Sequence, residues 1–404
     1  MNYSRGGTAK VNTIRVGVIG AGFMGLTHIR TLRRIRGVEV VALADVSSEN
    51  AAKAAELLDV PQVFEDFEEL ITKSGADVIH NCTPNHLHYD VTKLALEAGK
   101  HVFSEKPLAI TADQGEKLVQ LAEERDLRHG VNFVYRYYPI IEYAKEIVEK
   151  GHLGKLQLMR GGYHQDWLAK DTDFNWRVKQ DLGGPSRALA DIGSHWCDLV
   201  QYVTGDRIIQ VFADLDTVIP IRKRMEHTGQ TFSKNLESDS IVQKEKVDTE
   251  DYAAVLFRTE NGARGAFVVS QVSFGHKNQI TLEISGDRCS MAWNSKQHER
   301  LWIGRRDMAN QEVLKDPEHM GLGRGPGHIQ MPTGHSEGWL DNFTNLLVDF
   351  YEDVSGDSDR SAGTKYPSFV DGLWEMYLVE SMLASHRKQR WIPVLGKEVK
   401  LGHR

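Results

Sequence analysis

Residues 14–25 read Ile14-Arg15-Val16-Gly17-Val18-Ile19-Gly20-Ala21-Gly22-Phe23-Met24-Gly25, an apolar run that leads into three glycines with the spacing GxGxxG. The first glycine of such a turn permits a tight bend, the second lets the backbone approach a pyrophosphate, and the third lets the next helix pack close to the strand. That helix would point its free N–H groups and the positive end of its dipole at the phosphates. The stretch therefore predicts a strand, a glycine turn and a helix that together bind a dinucleotide.

An acidic residue follows at the distance that this interpretation requires. Val38 to Ala44 is apolar enough for a second strand, and Asp45 at its end lies twenty positions beyond Gly25. A carboxylate there can accept hydrogen bonds from the adenosine ribose and would repel a 2′-phosphate. We therefore expect NAD rather than NADP as the cofactor, held by Gly20, Gly22, Phe23, Met24, Gly25 and Asp45.

Strands and helices alternate through the rest of the first third of the chain. Apolar strands are predicted at 76–83, 100–105 and 129–133, with helices at 48–58, 87–98 and 111–125. This alternation is typical of a parallel sheet covered on both faces, and ligands bind such sheets beyond the carboxyl ends of the strands. We expect an α/β Rossmann domain over residues 12–137, preceded by a short disordered lead-in.

Composition and charge exclude several other classes of protein. The chain has 404 residues, which is more than a single domain with one hydrophobic core usually contains, so two domains are expected. A net charge of −7 argues against nucleic acid or an anionic membrane as a partner, and no apolar run approaches the roughly 20 residues of a membrane span. Cys82, Cys197 and Cys289 form no CxxC pair, so we expect reduced thiols in a cytoplasmic protein with no metal site.

Beyond residue 138 the pattern changes to short β-type runs with few helices between them. Asn261-Gly262 between two such runs is a strong hairpin signal. We expect an α+β domain over residues 138–394 with a large open, mostly antiparallel sheet. Residues 222–249 are almost all polar or charged, which predicts a solvated loop, with a functional lid as the alternative. Residues 395–404 would form a C-terminal tail.

Two further motifs stand at strand ends of the first domain. Thr83-Pro84-Asn85-His86-Leu87-His88 follows the third strand, and Glu105-Lys106-Pro107 follows the fourth. Together with GxGxxG they resemble the glucose-fructose oxidoreductase, inositol dehydrogenase and MocA (Gfo/Idh/MocA) family over about residues 14–394. The resemblance implies a cis Lys106–Pro107 bond, a homodimer or homotetramer that uses the open sheet, and further cofactor contacts from Thr83, Pro84, Asn85, His88, Glu105 and Lys106. For His88 a packing role at the helix start is the alternative.

Asp191-Ile192-Gly193-Ser194-His195 matches the second signature of the family, DxGxH. On a helix Asp191 and His195, four residues apart, lie on the same face. Oxidation of an alcohol requires removal of a proton, and a neutral imidazole suits that task at pH 7. By resemblance, His195 is the general base, Lys106 hydrogen-bonds the reacting oxygen, and Asp191 either orients His195 or binds an adjacent substrate hydroxyl. Pro185 replaces the third glycine of the usual GGG lead-in, which changes the loop and not the reacting side chains.

A set of aromatic and polar residues suggests a sugar pocket. Amide, carboxylate and indole groups suit a polyhydroxylated ring, which needs hydrogen bonds and an apolar surface for its C–H face. The candidates are Glu105, Tyr135, Gln165, Trp176, Arg177, Asp191 and His195. Of these, Glu105, Tyr135, Gln165 and Trp176 resemble sugar contacts of family members in relative position.

The sequence therefore predicts NAD-dependent oxidation of a ring secondary hydroxyl of a cyclic sugar, sugar derivative or inositol to a ketone. One alternative is a glycosidase or epimerase that retains NAD and oxidises C3 transiently. The other is a non-catalytic regulator that senses a sugar or NAD. The joint presence of Lys106, Asp191 and His195 argues against the regulator.

Overall fold

The structure is a computed structural model that describes residues 13–225, 241–318, 320, 328–356 and 363–394. The expected lead-in over 1–12 and the expected tail over 395–404 lie outside the described residues. Of the helices described, none is long and apolar enough to cross a membrane.

The first part of the chain folds into a parallel sheet with helices on both faces. The described residues form six strands in the order β3-β2-β1-β4-β5-β6. This order places a switch point between β1 and β4, where ligands of doubly wound sheets bind. The elements are β1 (Ile14–Ile19), α1 (Phe23–Leu32), β2 (Val38–Ala44), α2 (Ser48–Leu57), β3 (Gln62–Phe64), α3 (Phe67–Lys73), β4 (Val78–Asn81), α4 (His88–Glu97), β5 (His101–Ser104), α5 (Ala112–Glu124) and β6 (His129–Val131).

The second part is built on a large mixed sheet. Its nine described strands have the order β16-β15-β14-β13-β7-β12-β11-β8-β17, and all neighbours are antiparallel except β7 and β12. The elements are α6 (Pro139–Glu149), β7 (Leu156–His164), α7 (Gln180–Gly183), α8 (Ser194–Thr204), β8 (Ile208–Asp216), β9 (Ile221–Met225), β10 (Ile241–Lys246), β11 (Tyr252–Thr259), β12 (Arg264–Ser270), β13 (Gln279–Gly286), β14 (Ser290–Asn294), β15 (Arg300–Gly304), β16 (Gln311–Leu314), α9 (Trp339–Ser355), α10 (Phe369–Lys388) and β17 (Ile392–Pro393).

The last two long helices return to the first sheet. Helix α9 packs against α1, and α10 packs against α5 and β6. The two sheets therefore share one continuous buried apolar cluster. The expected fold class, a Rossmann domain followed by an α+β domain with a large, mostly antiparallel sheet, is confirmed.

The prediction of a solvated loop over 222–249 was wrong for residues 222–225 and 241–246. Strands β9 and β10 pair there as an antiparallel ribbon, with Lys223 opposite Lys244. Arg222 is fully buried. A ribbon whose side chains are mostly polar gives no apolar alternation, so its composition resembles that of a loop. Residues 226–240 lie outside the described part.

Candidate active site

The glycine turn after β1 has the geometry that close packing demands. Gly20 has φ of +103°, a region that side chains disfavour, and a Cβ on Gly25 would lie 1.8 Å from the carbonyl oxygen of Gly20. A Cβ on Gly22, in contrast, would project into open space at the edge of the cleft. No side chain caps the N-terminus of α1. The turn thus leaves space beside the uncapped start of α1, where a pyrophosphate would lie.

Asp45 lies at the end of β2, beside the same turn. Its Oδ2 accepts a hydrogen bond from the Ala21 N–H at 2.7 Å, and its Oδ1 accepts one from the Ser47 N–H at 2.9 Å. Each carboxylate oxygen has a second lone pair for a ligand hydroxyl. The carboxylate is therefore fixed at the cleft edge beyond the carboxyl end of β2.

The segments after β4 and β5 meet at the floor of the cleft. The ring nitrogens of His88 lie 2.6 Å from the Pro107 carbonyl oxygen and 2.9 Å from that of Thr83. The Asn85 amide donates to the Gly183 carbonyl at 2.9 Å, which ties this floor to the second domain. The Lys106–Pro107 bond is cis, as expected. Both ring nitrogens of the buried His88 face backbone carbonyls, which supports the packing alternative for this residue.

One large cleft collects nearly all of the residues singled out from the sequence. Its volume of about 510 Å³ lies within the roughly 300–1,000 Å³ typical of small-molecule pockets. The predicted residues that line it are Gly20, Gly22, Phe23, Met24, Asp45, Thr83, Pro84, Asn85, His88, Glu105, Lys106, Tyr135, Gln165, Trp176, Arg177, Asp191 and His195. Gly25 does not line it, because it is buried against Gly20.

Lys106 and Asp191 form an ion pair in the cleft. The Lys106 Nζ donates to Asp191 Oδ1 at 2.6 Å and to its backbone carbonyl at 2.8 Å, while Gln271 donates to Oδ2 at 2.8 Å. The Arg177 Nε lies 3.7 Å from Oδ1. Although burial opposes ionisation, the charges of Lys106 and Arg177 hold the pKa of Asp191 well below its usual range. Asp191 is therefore a carboxylate at all moderate pH values.

His195 lies one turn further along, on α8. Burial, together with the nearby charge of Lys106, lowers the pKa of His195 to about 3, against the opposing effect of Asp191. Its ring meets Phe133 and Tyr135 edge-on, with centroids 5.7 and 5.1 Å apart. Among the described residues its buried Nδ1 has no hydrogen-bond partner. The ring is thus neutral and held by aromatic packing, with Nε2 as the nitrogen left for a ligand.

Glu105 connects the cleft to a buried histidine pair. Its Oε1 accepts from the Asn132 amide at 2.7 Å and from His28 Nε2 at 3.0 Å. His28 Nδ1 lies 2.7 Å from His80 Nδ1, and His80 Nε2 lies 2.8 Å from the Tyr351 hydroxyl. Although burial acts in the opposite direction, His28 and Asn132 lower the pKa of Glu105 to about 2. The carboxylate is therefore ionised and held rigidly from behind.

Aromatic and amide groups form the wall opposite the cofactor side. The hydroxyls of Tyr135 and Tyr163 are 2.8 Å apart, and the Trp167 indole donates to Gln165 Oε1 at 2.8 Å. The Arg177 guanidinium lies over the Trp176 ring, 4.3 Å from its centroid. This wall offers both flat apolar surface and hydrogen-bonding groups, as a sugar ring requires.

Two family models match the chain. The model described as the oxidoreductase family, NAD-binding Rossmann fold, matches residues 14–133, and the GFO/IDH/MocA C-terminal domain matches residues 141–292. The chain belongs to the Gfo/Idh/MocA family. As a member of this family it is an NAD-dependent oxidoreductase, and the open space at Gly22 and the uncapped start of α1 fit that cofactor.

Several dehydrogenases are similar over half of the chain or more. Levoglucosan dehydrogenase from Pseudarthrobacter phenanthrenivorans is 28% identical over 411 residues, which cover 95% of this chain and 99% of that protein. Inositol 2-dehydrogenase from Corynebacterium glutamicum is 29% identical over 219 residues, which cover 54% of this chain and 60% of that protein. A solved structure of levoglucosan dehydrogenase in complex with NADH and levoglucosan matches with a TM-score of 0.83 at 28% identity, covering 95% of this chain and all of that one.

Sequence reasoning missed three polar residues of this Gfo/Idh/MocA site. Asn132 directly follows β6, so the rule about strand ends would have found it. Gln271 follows β12 and reaches Asp191 across 80 residues of sequence, and Asn278 lies in the next turn with φ of +53°. Asp191 itself lies in a π-helical turn, Leu189–Gly193, rather than in the α-helix implied by its spacing from His195. Such turns are common at functional sites.

Proposed function

We propose that the protein oxidises a ring secondary hydroxyl of a cyclic sugar, sugar derivative or inositol to a ketone with NAD. The observation that carries the proposal is the Lys106–Asp191 ion pair, which lies with the neutral His195 between the dinucleotide edge of the first sheet and an aromatic wall. The glycine turn and Asp45 would hold NAD, which would supply the acceptor for the hydride of the alcohol carbon.

His195 takes the proton in the oxidation. The hydroxyl proton passes to Nε2, and the electron pair of the O–H bond forms the carbonyl as the hydride departs. A neutral ring is needed for this step, and the lowered pKa of His195 provides it. In the reverse direction the same nitrogen donates the proton.

Lys106 stabilises the reacting oxygen. An ammonium group has three donors, and two of them are directed at Asp191. The third can donate to the substrate oxygen, where negative charge develops as the proton leaves. Asp191 holds the ammonium in place. Among the described residues its side chain contacts Lys106, Arg177 and Gln271 and makes no hydrogen bond to His195, so it positions the lysine and can accept from an adjacent substrate hydroxyl.

The opposite wall selects a ring-shaped substrate. The C–H face of a sugar packs on the indole of Trp176, while Gln165, Tyr135 and Glu105 offer donors and acceptors to its hydroxyls. The levoglucosan and inositol dehydrogenases to which the chain is similar are named for substrates of this kind.

The deciding experiment is NADH formation by the purified protein with a panel of inositols, aldoses, anhydro sugars including levoglucosan, and glycosides. Turnover of one class, lost in Lys106→Ala, is the expected result. Lack of turnover across the panel, with NAD binding shown separately, would contradict the proposal. Tightly bound NAD that copurifies, without net NADH formation, would instead identify an enzyme that oxidises C3 transiently and retains its cofactor.

We also propose that the chain forms a homodimer or homotetramer through the outer face of the large sheet. Leu158, Leu256 and Trp302 on β7, β11 and β15 are exposed on one face of the sheet, and large apolar side chains exposed in this way support a role of that face as an interface. Light scattering of the wild type and of Leu256→Lys tests this, with a smaller mass expected for the variant.

A further inference from the structure

The ribbon formed by β9 and β10 lies against one wall of the cleft. We call residues 166–178 the substrate-facing loop, because Trp167, Trp176 and Arg177 within it line the cleft. This loop contains little regular structure beyond one short helical turn at Trp176–Val178. Its internal hydrogen bonds lie within short turns, such as that from the Lys170 N–H to Asp173 at 2.8 Å, so contacts from outside the loop are needed to hold these turns against one another.

Arg222 of β9 supplies the main contact. Its Nη1 donates to the carbonyl oxygens of Lys170 at 3.0 Å and Asp173 at 2.8 Å, and its Nη2 donates to that of Leu168 at 2.9 Å. The side chain is fully buried. A planar guanidinium can bond three carbonyls in fixed directions, which an ammonium on a flexible stem cannot do at these positions.

Other residues of the ribbon extend the contact along the loop. The Lys223 N–H donates to the Asp171 carbonyl at 2.7 Å, and Lys179, just after the loop, pairs with Glu245 at 3.1 Å. Val247, just after β10, packs in a small apolar cluster with Leu168 and Val178, to which Trp167 and Phe174 also belong. This cluster is separate from the main core, so the loop and the ribbon depend on each other for burial.

A shared carboxylate links this contact to the catalytic wall. Asp251, just before β11, lies 3.7 Å from the Arg222 guanidinium and 3.2 Å from that of Arg187. The neighbouring Glu250 accepts hydrogen bonds from the N–H groups of Arg187 and Leu189, where the π-helical turn that carries Asp191 begins. The two walls of the cleft are thus joined behind the site.

We propose that the β9–β10 ribbon fixes the substrate-facing loop, with Arg222 as its positioning residue, and so determines which sugars the cleft accepts. Arg222 touches no substrate and acts through Trp167, Trp176 and Arg177. The effect on sugar selection rests on the function proposed above, whereas the effect on the loop does not.

Arg222→Met tests the proposal with two readouts. Backbone amides of residues 166–178 should exchange with deuterium faster than in the wild type, while those of β1, β2 and α1 should not change. The KM for the preferred sugar should rise by about tenfold or more, with the Kd of NAD unchanged, because misplacement of a binding wall weakens substrate positioning.

Lys315→Met is the matched control. Lys315 is also buried and donates to the His335 carbonyl and to Glu337, but it follows β16 and does not line the cleft. This variant should lose stability without faster exchange in the loop and without a change in the KM for the sugar.

Unchanged exchange in the loop of a folded Arg222→Met protein would overturn the proposal. Faster exchange in the loop with an unchanged KM for the sugar would show that the ribbon does not determine which sugars the cleft accepts. If Arg222→Met does not fold, the double variant Glu245→Gln, Val247→Ala takes its place. Its deuterium exchange in the loop and its KM for the sugar should rise in the same way but by less. No change in either quantity would count against the proposal. If the wild type turns over no sugar, the proposed function is contradicted. The deuterium-exchange measurement would still test whether Arg222 fixes the loop.

Discussion

The Lys106 ammonium bonds both the carboxylate and the backbone carbonyl of Asp191, at 2.6 and 2.8 Å. Lys106 follows β5 of the first sheet, whereas Asp191 lies in a π-helical turn of the second domain. The pair therefore spans the two walls of the cleft and fixes the cation relative to His195. One donor of the ammonium remains for the substrate.

Replacement of Lys106 by Ala should lower kcat/KM by at least about a hundredfold, because a preorganised cationic donor to the developing alkoxide is lost. The Kd of NAD should change little, since the glycine turn and Asp45 remain. Steady-state kinetics and NAD titration measure the two effects. Lys100→Ala, at the other end of β5, is the matched control and should retain activity. Near-normal turnover in Lys106→Ala would remove Lys106 from the mechanism.

The low pKa of His195 predicts an unusual pH dependence. The base is active when neutral, and with a pKa of about 3 it stays neutral as the pH falls through the range in which an ordinary histidine gains a proton. In the oxidation direction kcat/KM should thus change by less than about threefold between about pH 8 and pH 5, where a histidine of pKa about 6.5 would cause a loss of more than about tenfold. His195→Gln should lower kcat/KM by about 10²–10⁴-fold at every pH. A decrease of the wild-type kcat/KM toward low pH with a midpoint near pH 6.5 would contradict the low pKa of His195.

Much of the fold could be predicted because its signals are local. The runs at Ile14–Ile19 and Val38–Ala44 have the bounds expected from apolar content, and the hairpin at Asn261-Gly262 joins β11 to β12. The edge strand Gln62–Phe64 was missed because three residues are too few for a periodic pattern. The ribbon of β9 and β10 was missed because its stability comes from contacts with the substrate-facing loop, distant in sequence.

The candidate site was predictable where a motif marks a strand end and not where the fold alone brings residues together. Glu105 and Lys106 could be found in this way. Gln271 could not, because its importance lies in one hydrogen bond to Asp191 across the sheet. Likewise the burial that makes His195 neutral depends on Phe133 and Tyr135, which nothing in the DxGxH spacing indicates.

Asp45 should determine the preference for NAD over NADP. Asp45→Ser removes the carboxylate that would repel a 2′-phosphate, so the ratio of kcat/KM for NADP to that for NAD should rise by about tenfold or more, equivalent to about 1.4 kcal/mol. Asp45→Asn keeps the size and an acceptor while removing the charge, and it should shift the ratio in the same direction. Asp66→Asn, which changes the N-cap of α3, is the control and should leave the ratio unchanged. An unchanged ratio in both Asp45 variants would mean that the ribose is recognised elsewhere.

His129 should make the fold less stable in mild acid. Burial and the charge of Arg128 lower its pKa to about 4, from about 6.5 in an unfolded chain. Below about pH 6.5 the histidine gains a proton in the unfolded chain but not in the fold, where its pKa is about 4. The free energy of unfolding therefore falls as the pH falls from about 6.5 toward about 4, by up to about 1.4 kcal/mol per pH unit.

His129→Asn retains an acceptor for the Phe369 N–H and cannot take up the proton, so its free energy of unfolding should fall less steeply between those pH values. Denaturant unfolding at several pH values measures the slopes, with His335→Asn, an exposed position, as the variant expected to match the wild type. Identical slopes for His129→Asn and the wild type would show that His129 is not protonated on unfolding in this range.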